Sequence, residues 1–161
     1  MQGYSPKYFS VKELVPPSVY AARGEKAIEL FNPYLLETID LLRDLFGQVI
    51  INTWFSKNLI EKYGYRSQSG IRSFEFYLDS AGGDFGEGLR LYNGSFSQHK
   101  YGNAVDCIFV DVDVEEVRQF ILNNLNLFSY IKGLELGTPW LHIDTRNRED
   151  LITFGSNPAW N

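Results

Sequence analysis

The chain has 161 residues, 44% of them hydrophobic, which suits one domain with its own core and makes a structural metal unnecessary for folding. The net charge of −5 argues against nucleic-acid binding, which needs a basic face. The sequence contains no run of about 18 apolar residues, so it predicts no membrane-spanning segment. Cys107 is the single cysteine, so an intrachain disulfide is excluded.

The first third of the chain predicts two helices and a strand. A short helix follows Ser10, which forms a capping box with Glu13. A longer helix begins at Asn32-Pro33, an N-cap followed by a proline in the first turn, and ends at Gly47. Residues 48–53 are apolar enough to form a buried strand.

Residues 56–98 are rich in glycine, serine and tyrosine, so we expect a long loop region that lines a cleft and leaves room for short helical turns. The remaining elements are predicted as a strand over 104–110, a helix from 113 to about 124, paired strands over 131–136 and 140–145, and a last strand over 150–155. This order predicts a single α+β domain, residues 1–161, with a mostly antiparallel sheet flanked by helices.

The two histidines of the chain both lie near acidic residues. His99 stands seven residues before Asp106, and His142 stands two residues before Asp144. A catalytic zinc ion takes three protein ligands and keeps a position for water. His99, Asp106 and His142 suit such a site, and Asp144 shares a strand face with His142 and is placed to orient its imidazole. For either histidine taken alone, an ordinary surface or hydrogen-bonded role is the simpler interpretation.

Two segments resemble a known enzyme family. The first is the pattern Ser-x-His-x-x-Gly-x-Ala-x-Asp over residues 97–106, and the second is Trp-x-His-x-Asp over residues 140–144. Both are similar to the zinc motifs of the D-Ala-D-Ala carboxypeptidase and L-Ala-D-Glu endopeptidase family, which shares its fold with the hedgehog signalling domain. The resemblance implies a hedgehog/DD-peptidase-like fold and a Zn²⁺ cofactor held by His99, Asp106 and His142.

The same resemblance implies a general base, but the usual spacing is missing. In the family a glutamate commonly stands three residues before the second histidine, where this chain has Pro139. Glu135, on the strand that we expect to pair with that of His142, is therefore the candidate base. Asp144 is the reserve candidate.

The family also has an arginine, in a Ser-Gly-Tyr-Arg-like segment after its first strand, that binds carboxylates and the oxyanion. No arginine directly follows the first predicted strand here. Arg72, in Ser-Gly-Ile-Arg, is the preferred substitute and Arg66 the alternative. The further candidates for contact with substrate are Ser97, Trp140 and Asp144.

The implied function is that of a zinc metallopeptidase, a carboxypeptidase or an endopeptidase, that hydrolyses a bond next to a D-amino acid in peptidoglycan stem peptides. The lack of a wall-binding domain favours a phage or prophage enzyme of lysis or entry. The displaced glutamate and the missing early arginine leave open an alternative, a zinc-binding structural component of a phage particle with little or no activity. A third hypothesis is that the protein is a housekeeping or resistance dipeptidase.

The N-terminus has no basic start followed by an apolar stretch, so we expect synthesis in the cytoplasm without a signal peptide. The protein would then act on the cell wall after release or as part of a phage particle, with other virion proteins as further candidate partners.

Overall fold

The computed structural model describes residues 4–155, which form an α+β fold. The α-helices of this part of the chain are α1 (Val11–Leu14), α2 (Pro17–Arg23), α3 (Pro33–Phe46), α4 (Lys57–Tyr63), α5 (Phe74–Ser80), α6 (Phe85–Gly94) and α7 (Val114–Asn123). Two 3₁₀ helices cover Gly24–Leu30 and Gln98–Tyr101. The strands are β1 (Val49–Ile50), β2 (Ala104–Phe109), β3 (Gly133–Leu136), β4 (Leu141–Asp144) and β5 (Ile152–Gly155). Within residues 4–155, no helix combines the length and the apolar character that a membrane span requires.

Polar side chains fix where the predicted helices begin. The side chain of Asn32 accepts a hydrogen bond from the backbone N–H of Tyr34 at 3.0 Å, at the start of α3. Asp113 does the same for Glu115 at 2.8 Å, at the start of α7. Each bond satisfies one of the N–H groups that the first turn of a helix leaves without a partner. The expected helix starts are confirmed, including that of α1 after the Ser10 capping box.

The expectation of a long loop over residues 56–98 is wrong, because this stretch contains α4, α5 and α6. One of its glycines, Gly88, marks close packing between two helices. A Cβ atom placed on Gly88 of α6 would stand 3.0 Å from the Cα atom of Leu78 in α5. Glycine is therefore favoured where α6 packs against α5, although it weakens a helix taken alone.

The strand expected over residues 48–53 is shorter than predicted, since only Val49 and Ile50 pair with β2. The next residues turn their N–H groups to other partners. Asn52 donates to the carbonyl of Glu13 at 3.0 Å, and Thr53 donates to the carbonyl of Arg66 at 2.9 Å. The chain thus leaves the sheet and joins the N-terminal helices to an irregular segment that reaches the site.

The sheet has five strands in the order β1-β2-β4-β3-β5. Antiparallel pairing joins β1 to β2, β2 to β4 and β4 to β3, whereas β5 runs parallel to β3. The sheet is therefore mixed, and its antiparallel part comprises β1, the strand β2 that carries Asp106, and the predicted hairpin of β3 and β4.

Side chains alternate between the two faces of these strands. The core face of β2, β3 and β4 is apolar, and it packs with α1, α3 and α7 in one cluster of buried residues that includes Val105, Cys107, Leu134, Leu141 and Ile143. The opposite face carries acidic and histidine side chains at intervening positions. The same pattern that builds the core therefore directs the polar residues to one side of the sheet.

Candidate metal centre

Strand pairing brings two of the three expected ligands together. Asp106 of β2 stands directly opposite His142 of β4 in the antiparallel register. Their immediate neighbours Cys107 and Leu141 are also paired and point into the core. Both site residues therefore project from the other face, side by side.

The third ligand comes from the 3₁₀ helix that precedes β2. His99 lies in this helix, which ends at Gly102 in the left-handed conformation with φ of 68°. A Cβ atom on Gly102 would lie 2.0 Å from the carbonyl oxygen of Leu30, so both its conformation and its surroundings require glycine. After this turn the chain enters β2, and His99 lies close to Asp106.

The three side chains converge at distances suited to a metal ion. Nε2 of His99 lies 3.2 Å from Nδ1 of His142, and Oδ1 of Asp106 lies 3.3 Å and 2.8 Å from these two nitrogens. Zinc binds nitrogen and oxygen at roughly 2.0–2.2 Å, so ligands of a tetrahedral ion stand about 3.3 Å apart. The triangle of donor atoms is therefore close to the size that such an ion needs. Its donors can hold a metal ion and are compatible with zinc.

The remaining nitrogen of each imidazole also has a partner. Nδ1 of His99 donates a hydrogen bond to the carbonyl oxygen of Gly70 at 2.8 Å, which leaves Nε2 with its lone pair toward the other two donors. Nε2 of His142 lies 3.5 Å from Oδ2 of Asp144. Partners of this kind orient histidines that bind metals and fix the tautomer. Asp144 is fully buried, which favours this orienting role over contact with substrate.

Charges in the metal-free cluster stabilise one another. Burial acts to raise the pKa of Asp106, but the two imidazoles, above all that of His142 through its hydrogen bond, outweigh it and hold that pKa well below its usual range. Burial acts to lower the pKa of His142, but Asp106 and Asp144 outweigh it and raise that pKa to about 9. Burial lowers the pKa of His99 despite Asp106. Asp106 is therefore ready to bind a cation, whereas His142 must first lose a proton.

Arg72 contacts the same aspartate from the other side. Its Nη2 group lies 3.1 Å from Oδ2 of Asp106, so the two carboxylate oxygens serve different partners. Its guanidinium also lies over the ring of Phe76, 4.5 Å from the ring centroid. Arg66, the alternative, donates to the backbone carbonyls of Ile51 at 3.0 Å and Asp106 at 3.4 Å. The structure thus places Arg72, and not Arg66, against the carboxylate of a candidate ligand.

Glu135 opens into the same cavity as the three candidate ligands, a space of about 310 Å³ that we call the metal cavity. The register of β3 with β4 sets Gly133 opposite Asp144, so Glu135 projects from the same sheet face as His142. Ser97 and Trp140 also line this cavity. The structure therefore brings Glu135, Ser97 and Trp140 to the site that the motifs predicted.

Sequence reasoning missed several residues that support the site. Gly133 is one, since a Cβ atom there would stand 2.2 Å from a carboxylate oxygen of Asp144. Phe154 of β5 is another, with its ring centroid 5.6 Å from that of His142. Gly70 is a third, through its carbonyl bond to His99. A glycine inside a predicted strand is a signal of close approach and could have indicated Gly133.

Arg118 was also missed, although it is only 1% exposed. Its guanidinium donates to the backbone carbonyl of Glu135 at 3.0 Å, to that of Thr138 at 2.6 Å and to that of Trp140. These bonds hold the connection between β3 and β4, which carry Glu135 and His142. The available signal was an arginine on the buried stripe of α7, beside Val117 and Ile121.

The arrangement as a whole offers three metal donors, a nearby carboxylate outside the triangle and an arginine paired with one donor. Such a set suits hydrolysis with a metal and a general base, because each part of that chemistry has a residue in reach.

Comparison with family models, with curated proteins and with solved structures gave no match to this chain.

Proposed function

We propose that this protein is a zinc-dependent peptidase that hydrolyses a peptide bond next to a D-amino acid in peptidoglycan stem peptides. The observation that carries the proposal is the meeting of His99, Asp106 and His142 in one cavity that Glu135 also lines. The resemblance of the segments 97–106 and 140–144 to zinc peptidase motifs supplies the substrate class. A hedgehog/DD-peptidase-like fold and a role in phage lysis or entry belong to the same proposal.

His99, Asp106 and His142 would hold the metal, because each presents a donor atom to the same point. A zinc ion bound there supplies a Lewis acid and lowers the pKa of a coordinated water to near 7. The partners of these ligands keep them in place: Gly70 orients His99, and Asp144 orients His142. The ligands are thus arranged before the metal arrives, which limits the cost of organising the site.

Glu135 is the proposed general base. It takes a proton from the attacking water and returns it to the leaving amine. Its position on β3 supports this role, since its carboxylate shares the metal cavity without belonging to the triangle of donors. Arg72 keeps Asp106 oriented and lines the cavity, where its charge stabilises the oxyanion that forms on the substrate carbonyl.

The decisive experiment measures zinc content and peptidoglycan cleavage separately. Wild-type protein should bind one zinc ion per chain, and a chelator should abolish cleavage of purified peptidoglycan. Glu135→Gln should keep its zinc and lose activity by about 10²–10⁴-fold, the usual contribution of a general base. Glu61→Gln, a neutralised glutamate on the exposed surface of α4, is the matched control and should remain active.

Two results would count against the proposal. Full activity in Glu135→Gln would show that Glu135 is not the general base. A wild-type protein that binds zinc but releases no fragments from any peptidoglycan would instead favour the alternative, a zinc-binding structural component of a phage particle.

A further inference from the structure

Arg72 has fewer short hydrogen bonds than Arg146, the other arginine that lines the metal cavity. Its Nη2 group pairs with Oδ2 of Asp106 at 3.1 Å, and its Nε group donates to the carbonyl of Gln68 at 3.4 Å, which is long for a hydrogen bond. Within residues 4–155, its Nη1 group donates to no acceptor. Arg146, by contrast, pairs with Asp144 through two nitrogens. Hydrogen bonds alone therefore leave the plane of the Arg72 guanidinium weakly fixed.

An aromatic ring supplies a further constraint on this guanidinium. Arg72 lies two residues before α5, and Phe76 lies in the first turn of that helix. The guanidinium carbon stands over the ring of Phe76, 4.5 Å from its centroid, which is within the roughly 6 Å at which a cation is attracted to the face of a ring. The Arg72 side chain is only 24% exposed, so water weakens this attraction little. The contact opposes any tilt of the guanidinium away from Asp106.

The ring of Phe76 is held in turn by the paired helices α5 and α6. None of the described residues 73–96 belongs to the main hydrophobic core. The ring of Tyr77 instead packs edge-on against two others, that of Phe76 at 5.2 Å and that of Tyr92 in α6 at 5.3 Å between centroids. The hydroxyl groups of Tyr77 and Ser95 share a hydrogen bond of 2.9 Å. The packing of α5 on α6 thus sets the position of Phe76.

We infer that Phe76 is a positioning residue, which holds the Arg72 guanidinium beside Asp106 and keeps its Nη1 group available to the substrate oxyanion. The inference rests on the proposed peptidase function, in which Arg72 stabilises that oxyanion. Phe76 acts through Arg72 and does not need to touch the reacting atoms. The paired helices α5 and α6 thereby gain a role in the site, because they support the ring on which Arg72 lies.

Three single variants test this role in zinc-loaded protein, with soluble peptidoglycan fragments as substrate. Phe76→Leu removes the ring and should lower kcat by about 3- to 30-fold, the range of one cation–π contact, with KM and zinc content changed by less than about twofold. Phe76→Tyr keeps the ring and should retain kcat within about twofold. Phe74→Leu is the matched control, because it removes a ring of α5 that packs on Phe85 and Tyr92 and lines neither Arg72 nor the metal cavity. Its kcat should also stay within about twofold of wild type.

A double-mutant cycle shows whether Phe76 acts through Arg72. In an Arg72→Gln background, Phe76→Leu should change kcat by less than about twofold, because the guanidinium that the ring holds is gone. An undiminished further loss in this background would overturn the inference. Equal losses in Phe76→Leu and Phe74→Leu would also overturn it, since they would assign Phe76 an ordinary packing role.

A measurement without turnover separates this inference from the proposed function. The ¹H–¹⁵N heteronuclear NOE of the Arg72 Nε–H group reports how rigid the side chain is on the ps–ns timescale. It should fall in zinc-loaded Phe76→Leu and match wild type in Phe76→Tyr, and an unchanged value in Phe76→Leu would overturn the positioning role. Failure of the proposed function would look different, as a zinc-loaded wild-type protein with a rigid Arg72 side chain that cleaves no peptidoglycan.

Discussion

Replacing Arg118 tests whether one buried side chain holds the connection that carries the candidate base. Arg118→Met keeps the length of the side chain and removes the guanidinium. The Nε and Nη2 groups of Arg118 donate to the backbone carbonyls of Glu135, Thr138 and Trp140. The substitution removes these three bonds, although the carbonyl of Trp140 keeps its hydrogen bond from Oγ1 of Thr138 at 2.8 Å. We therefore expect the free energy of unfolding to fall in Arg118→Met.

The magnitude follows from these acceptors. A buried polar group left without a partner costs about 1–3 kcal/mol. The carbonyls of Glu135 and Thr138 both lose their bond from Arg118, and relaxation of the turn recovers part of that loss, so we expect a total of about 2–4 kcal/mol. A domain of ordinary stability, roughly 5–15 kcal/mol, would lose a large fraction of it.

Urea unfolding of the metal-free protein, followed by tryptophan fluorescence, measures the effect. Glu115→Gln is the control, because the Glu115 carboxylate also pairs with Arg118 but is 54% exposed. Removing the charge of Glu115 should lower the free energy of unfolding by at most about 1 kcal/mol. If Arg118→Met cost no more than Glu115→Gln, the carbonyl bonds would not stabilise the connection. Arg118→Lys should recover part of the stability, since it keeps the charge and one donor group.

Two further changes test the site itself. Because the pKa of His142 is raised from 6.5 to about 9 in the folded protein, its proton contributes about 3 kcal/mol of stability below pH 6.5. That contribution is lost as pH rises from 6.5 through 9, and urea unfolding in the presence of a chelator should show the fall. Gly133→Ala should cost about 1–3 kcal/mol and weaken zinc binding, because its Cβ atom would stand 2.2 Å from the Asp144 carboxylate. Calorimetric titration with zinc measures the second effect.

Each of these changes has a control. His142→Gln should flatten the decline in stability between pH 6.5 and 9, and a decline that persists in this variant would belong to other groups. Gly94→Ala, at the end of α6, adds a Cβ atom with nothing within 4 Å and should leave zinc binding unchanged. Equal zinc affinity in Gly133→Ala and wild type would mean that Asp144 does not orient His142.

The parts of the fold that the sequence predicts well depend on local signals. Helix α3 begins at an N-cap and a first-turn proline and ends at Gly47, and all three signals lie within or beside the helix. Strand β2 has alternating side chains, with Val105 and Cys107 buried in the core. Since these signals act over a few residues, one sequence is enough to interpret them.

The expected loop over residues 56–98 shows where local signals fail. Glycine is a poor helix former, so a segment with Gly86, Gly88 and Gly94 does not look helical. The close approach of Gly88 to Leu78 supplies a reason for glycine that only the packed helices reveal. Tertiary contact therefore overrides the propensity, and this contact cannot be inferred without knowing that α5 and α6 pair.

The site combines both kinds of information. The motif around His99, Asp106 and His142 places the donors because it resembles a pattern with known chemistry. The preference for Arg72 over Arg66 rests on its Ser-Gly-x-Arg form alone, which does not by itself decide which arginine reaches Asp106. That depends on the path of residues 66–72, where the N–H of Asp106 donates to the carbonyl of Ser69 at 2.7 Å and so draws this segment along β2.

That segment explains why the orientation of the donors depends on distant parts of the chain. The N–H of Ile71 donates to the carbonyl of Leu14 at 3.0 Å, which ties the segment to α1. A Cβ atom on Gly70 would lie 1.9 Å from that same carbonyl oxygen, so only glycine allows the approach. The carbonyl of Gly70 in turn orients His99, and the N–H of Arg72 donates to the carbonyl of His99 at 3.2 Å. Helix α1 therefore supports the candidate metal centre through these backbone contacts, and a change in α1 that moves Leu14 should disturb His99 without altering any candidate ligand.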